Sequence, residues 1–109
     1  MMATGTIFLT SREAIAPVEA LAFPSGMEIF SPTDVVIPAN GTKTVKSEVQ
    51  IAAPHGHVVT IEPYSTNYFL SVYSVTEMND DTNTLEGIHF IMKSISNSEI
   101  KLSRGTVLG

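Results

Sequence analysis

From Thr33 onward the chain gathers β-branched and apolar residues into short blocks closed by turn-forming residues. These are "DVVIP" before "ANG", "TVKSEVQIAAP" before "HGH", then "VVTIEP", "YFLSVYSV", "GIHFIMKSI" before "SNS", and "EIKLS" before "RG". Blocks of this length and spacing predict an all-β chain. Within "TKTVKSEVQI", Thr44, Lys46, Glu48 and Gln50 alternate with Val45, Ser47, Val49 and Ile51, which predicts one strand with a wet face. Asn40-Gly41 and His55-Gly56 supply residues that tolerate φ > 0 at hairpin corners. Pro38, Pro54 and Pro63 stand at strand ends, where no amide donor is needed. "SREAIAPVEALA" would suit a helix but for Pro17, so it reads as extended or irregular. The polar run "EMNDDTNTLE", Glu77 to Glu86, reads as an exposed loop.

Composition narrows this picture. At 109 residues without a compositional break, the length predicts one domain, 1–109, around one core. Hydrophobic residues make up 43% and charged residues 16%, too apolar for a disordered chain. No apolar run approaches the ~20 residues that span a bilayer, so no membrane partner is expected. The opening "MMATGTIFLTSREA" has no basic stretch ahead of a long apolar block, so no secretory leader is expected and the location predicted is intracellular. Cysteine is absent, which removes disulfides, zinc-thiolate sites and a cysteine nucleophile. Net charge is −5, and the six basic residues Arg12, Lys43, Lys46, Lys93, Lys101 and Arg104 are scattered, so no nucleic-acid partner is expected.

Single residues with chemical potential have plain structural alternatives. His55 and His57 could grip a metal, but a turn with no third ligand favours a structural role. His89, between Ile88 and Phe90, is expected on an outer strand face or satisfied within an interface, not in catalysis, and Met92 in the core. Asn40-Gly41-Thr42 matches a glycosylation acceptor, yet its turn role suffices. No serine lies in an elbow motif that would pair it with one of the three histidines.

In their order and spacing the blocks resemble the trimeric dUTPase family, from about Thr6 to the end of the chain. "REAIAPVEALAFPSGMEIFSPTDVVIPANGTKTV" resembles the family's leading segment, first motif and following strand pair. "IAAPHGHVVTIEPYS" is similar to its proline-x-glycine hairpin and second motif, and "EGIHFIMKSISNSEIKLSRGTVLG" to the end of the third motif and the start of the fourth. The resemblance implies a distorted jelly-roll β-barrel and a homotrimer with sites shared between subunits. It assigns Glu28 to the magnesium-binding acid of the first motif, with Met27 in place of tyrosine. Ser65 falls on the second-motif serine, but Tyr64 stands where an arginine would meet phosphate. Asp80 or Asp81 falls on the water-orienting aspartate, while Asn83 replaces the sugar-stacking tyrosine. Arg104 and Gly105 match the fourth motif, which Thr106 and Val107 leave, and the glycine-rich arm is missing.

Phosphoryl transfer depends on charge and positioning, so the loss of the second-motif arginine, the aromatic platform and the arm together implies an inactive site on a retained scaffold. No cofactor is then expected, with Mg²⁺ needed only if activity survives. "PSGMEIFSPTDVVIPANG" also resembles the dUTPase-derived early-region proteins of adenoviruses. This implies a viral or mobile-element origin, a location in the cytoplasm or nucleus of a host cell or in a virion, and a role in binding itself and an unidentified protein. The alternatives are a dUTPase-related pyrophosphatase using Glu28, Ser65, Asp80 and Arg104, and a structural capsid or polyprotein β-domain.

Overall fold

Nine strands make up the computed structural model, which describes residues 5–19 and 26–109. They are β1 (Thr6–Leu9), β2 (Val18–Glu19), β3 (Met27–Glu28), β4 (Val35–Ile37), β5 (Thr42–Lys46), β6 (Val49–Ala52), β7 (Leu70–Asn79), β8 (Thr84–Ser94) and β9 (Ile100–Leu102). The all-β expectation holds, and no helix occurs among the described residues. Every ladder is antiparallel: β1-β6-β8-β5 with β7 on the other side of β8, plus the pairs β2-β3 and β4-β9. These pairings make three open sheets among the described residues, and no closed barrel.

β8 is the centre because its sequence alternates. Ile88, Phe90, Met92 and Ser94 are buried, while His89 and Ile91 are half-exposed and Lys93 is exposed on the other face. β7 pairs with it from Leu70↔Ser94 to Asn79↔Thr84. The polar run expected as a loop is therefore mostly strand, and only residues 80–83 connect the two, ending on Asn83 at φ 51°. Its polarity reflects exposure of a hairpin end, not absence of a ladder. An extra residue near Glu86 shifts the register from Glu77↔Gly87 to Met78↔Leu85, which lets both Leu85 and Ile88 face the core.

β5 and β6 lie in line along the other side of β8. The pairing steps from Lys46↔His89 to Ile51↔Leu85, so one additional residue is absorbed on their side. The bulge sits at Ser47 and Glu48: Ser47 N–H still reaches the Ile88 carbonyl at 3.0 Å, and Glu48 takes φ 59°. The single strand expected over "TKTVKSEVQI" is thus two. Burial still alternates across the break, with Val45, Ser47 and Val49 inside. β1 flanks β6 alone and ends at Leu9, beyond which Thr10 N–H bonds the Glu48 carbonyl at 2.9 Å.

The expected corners are turns. Gly41 N–H bonds the Pro38 carbonyl at 2.9 Å, with Asn40 rather than Gly41 at positive φ, and a Cβ on Gly41 would lie 2.4 Å from the Pro38 ring. His57 N–H bonds the Pro54 carbonyl at 3.0 Å, with Gly56 at φ 78°. "VVTIEP" forms no ladder; Val59 and Ile61 instead pack against the core. That core joins Ile29, Val35, Ile37, Ile100 and Leu108 to Val45, Leu70, Leu85, Ile88, Phe90 and Met92. Phe69 (59% exposed), Tyr73 (57%) and Tyr68 (95%) stay outside it. No described helix is long and apolar enough to cross a membrane.

Candidate functional site

Three of the segments singled out in the sequence run side by side. Ile29 N–H donates to the Gly109 carbonyl at 2.8 Å, and Leu108 N–H to the Ile29 carbonyl at 2.7 Å. One step further, Ser31 N–H bonds the Thr106 carbonyl and Gly105 N–H the Ser31 carbonyl, both at 2.8 Å. Tyr64 N–H joins from the other side through the Leu108 carbonyl at 2.9 Å. The residues after Glu28, those around Tyr64 and those after Arg104 therefore share one backbone network. Buried Ile29 and Leu108 anchor it to the core.

Within that network the polar groups point to the protein's own main chain. Arg104 Nε donates to the Pro32 carbonyl and one terminal guanidinium nitrogen to the Glu13 carbonyl, each at 3.1 Å. Its amide donates to Asp34 Oδ1 at 2.8 Å. Gly105, at φ 90°, occupies the left-handed corner of a turn in which Thr106 N–H reaches the Ser103 carbonyl at 3.1 Å, a conformation that disfavours any Cβ. Ser65 is exposed, and its hydroxyl closes a local turn by accepting the Asn67 N–H at 3.1 Å.

Glu28 lies half-buried in β3, paired with Val18 of β2. Asp80 and Asp81 occupy the tip of the β7–β8 hairpin, where Asp81 N–H bonds Asn79 Oδ1 at 3.1 Å. That tip is tied to the His55–His57 turn, since Asn83 Nδ2 donates to the His57 carbonyl at 2.9 Å. No hydrogen bond or ion pair links Asp80 or Asp81 to Glu28, Ser65 or Arg104 among the described residues. Nor do three or more histidine and acidic side chains converge among them in a way that could hold a metal ion.

A feature with no sign in the sequence pattern lies beside β5. A cleft of about 550 Å³ is lined by Lys43 to Lys46 on one side and Pro32 to Val35 on the other, with Ser11, Glu13 and Glu48 at its margins. Arg104 holds its far wall, because the carbonyls and carboxylate it binds belong to Glu13, Pro32 and Asp34. Ser11 Oγ is sealed from solvent and has no hydrogen-bond partner among the described residues. Chemically the cleft brings the ammonium groups of Lys43 and Lys46 and the carboxylates of Glu13, Asp34 and Glu48 beside the almost fully buried Val35 and Val45. No protein-family model matches this chain, and no curated protein matches it.

Proposed function

We propose that this chain is a catalytically inactive dUTPase-like domain of viral or mobile-element origin, working as a protein-interaction or assembly module. The observation that carries the proposal is how Arg104 and Ser65 are used. Two donor groups of the guanidinium hold main-chain carbonyls and the serine hydroxyl closes its own turn, so the groups that would meet a phosphate serve the scaffold. Tyr64 carries no charge that could replace the arginine. A distorted jelly roll belongs to the same proposal. Its support is the placement of β4, β9 and the Ile29–Leu108 network against a core shared with the five-stranded sheet. No cofactor is proposed, and the partners are further copies of the chain, three about an axis, together with a protein of the host.

Calorimetric titration with a non-hydrolysable dUTP analogue and magnesium tests this directly. No heat is expected at sub-millimolar nucleotide; micromolar binding overturns the proposal. Magnesium-dependent pyrophosphate release abolished by Glu28→Ala and by Asp80→Ala would establish a nucleotidase in its place.

A further inference from the structure

β7 is a long edge of the five-stranded sheet, paired with β8 on one side and with no strand on the other among the described residues. Ile95 N–H bonds the Phe69 carbonyl at 2.9 Å, just before the β7–β8 ladder begins. Antiparallel alternation then turns the N–H and C=O of Ser71, Tyr73, Val75 and Glu77 toward β8, and those of Val72, Ser74 and Thr76 away from it. Among the described residues no hydrogen bond reaches these outward backbone groups. From Leu70 to Thr76 the edge carries no charge and no proline, the features that ordinarily keep an edge from pairing. Its side chains alternate. Val72 and Ser74 are half-buried, the Ser74 hydroxyl donating to the Ile61 carbonyl at 3.2 Å, whereas Tyr73, Val75 and Glu77 are exposed on the outer face.

We propose that β7 pairs antiparallel with β7 of a second copy of the chain, about a twofold axis at Ser74, joining two five-stranded sheets into one. The proposal goes beyond the interaction-module reading and does not depend on it. In this register Ser74 faces Ser74 and Val72 faces Thr76, so the outward groups exchange about six backbone hydrogen bonds. Tyr73 meets Val75 on each side of the axis. That sets an aromatic against a β-branched residue in a non-hydrogen-bonded pair, where side chains approach most closely.

Charge selects both the occupant and the register. Within one chain Ser71 stands opposite Lys93. The proposed register therefore puts Glu77 of the second copy in one outer row with Ser71 and Lys93. At about 4.8 Å between strands, Glu77 and Lys93 lie roughly 10 Å apart at the backbone with only a serine between them, a gap that two long side chains close. Both are exposed, and neither is in an ion pair among the described residues, where Lys101 pairs with Glu99. The axis repeats the contact, so each dimer makes it twice. Moving the axis to Tyr73 or Val75 sets Glu77 opposite Phe69 or Tyr73 and loses this match, and moving it to Glu77 sets acid against acid. The edge thus complements itself in charge and in residue class, which identifies the occupant as a second copy. A twofold contact gives an even number of copies, whether or not the threefold assembly forms.

The chain has no cysteine, so single cysteines report the register without background. An antiparallel hydrogen-bonded pair holds its Cα atoms about 5.5 Å apart, within disulfide reach. Ser74→Cys in the full chain, oxidised with glutathione disulfide, should give a covalent dimer. Val72→Cys and Thr76→Cys should each stay unlinked alone and link to one another when mixed. In light scattering over a concentration series, Glu77→Lys or Lys93→Glu should weaken the dimer roughly fivefold to tenfold, and the two in one chain should restore it. Both positions are exposed, so the amide spectra of all three variants should keep the parent fold. The proposal is overturned by a single or odd-numbered mass at every concentration, which would leave the edge to a different protein. Equal cross-linking at all three cysteine positions, or a charge exchange that fails to restore the dimer, overturns it as well. Failure here leaves the calorimetric result standing, whereas micromolar nucleotide binding removes the module reading and leaves the edge pairing in place.

Discussion

The guanidinium of Arg104 fastens Glu13 and Pro32, distant in the chain, to a turn near the carboxyl-terminal end of the molecule. Each bond is charge-assisted, and losing both leaves the carbonyls to find other donors. Arg104→Ala should therefore cost about 1–3 kcal/mol, read as a lower urea midpoint with unchanged slope. Arg104→Lys should recover little of this, because one ammonium cannot span two carbonyls as the planar fork does. A residue kept only for phosphate would leave the midpoint where it was. The arginine–glycine pair was visible in the sequence, since glycine after arginine signals a left-handed corner. The two carbonyls it serves were not visible, because nothing local distinguishes Glu13 and Pro32 as acceptors.

The apolar blocks along the chain identified the elements at Val35–Ile37 and Ile100–Leu102, the stretch that holds β5 and β6, and β7 as far as Val75, since burial on one face is what alternation encodes; the rest of β7 reads as loop because its residues are mostly polar on both faces. Alternation could not locate the bulge, because burial keeps its alternation from Val45 through Val49 while the ladder slips by one residue. Nor could it tell Val59 and Ile61, which pack on the core without a ladder, from residues of a paired strand. The cleft was equally hidden, since it exists where a neighbouring strand stops. The bulge makes an inverted prediction possible at Glu48, whose φ of 59° is costly for any residue with a Cβ and worst for a β-branched one. Glu48→Val should lower stability by about 1–2 kcal/mol. Glu48→Gly should equal or exceed the parent despite losing the 3.1 Å bond from Thr10. Thermal melts of the three proteins check the order; a continuous strand would rank valine first and glycine last.

At the scale of the whole molecule, β7 leaves Tyr73 and Val75 on an exposed face, with Phe69 and Tyr68 just before it. Leu70, Ile88, Phe90 and Met92 are satisfied within one chain, so they are not available to neighbours, whereas this exposed group is. Light scattering over a concentration series should give a multiple of 11.7 kDa, threefold under the proposed assembly. Tyr73→Lys with Val75→Lys should return the single-chain mass without loss of folding; an unchanged mass would move the contact elsewhere. The same hairpin also governs time. β7 and β8 are joined by four residues, 80–83, whereas β4 meets β9 only when Val35 finds Leu102, across most of the chain. Closing that longer loop costs more entropy, so the hairpin should form first, in about 1–10 μs, and the β4–β9 clasp last. Asn83→Ala, which strains the left-handed turn residue, should then slow refolding in stopped-flow traces. Ile100→Val should chiefly hasten unfolding, so that the clasp acts as the latch that sets the lifetime of the folded state.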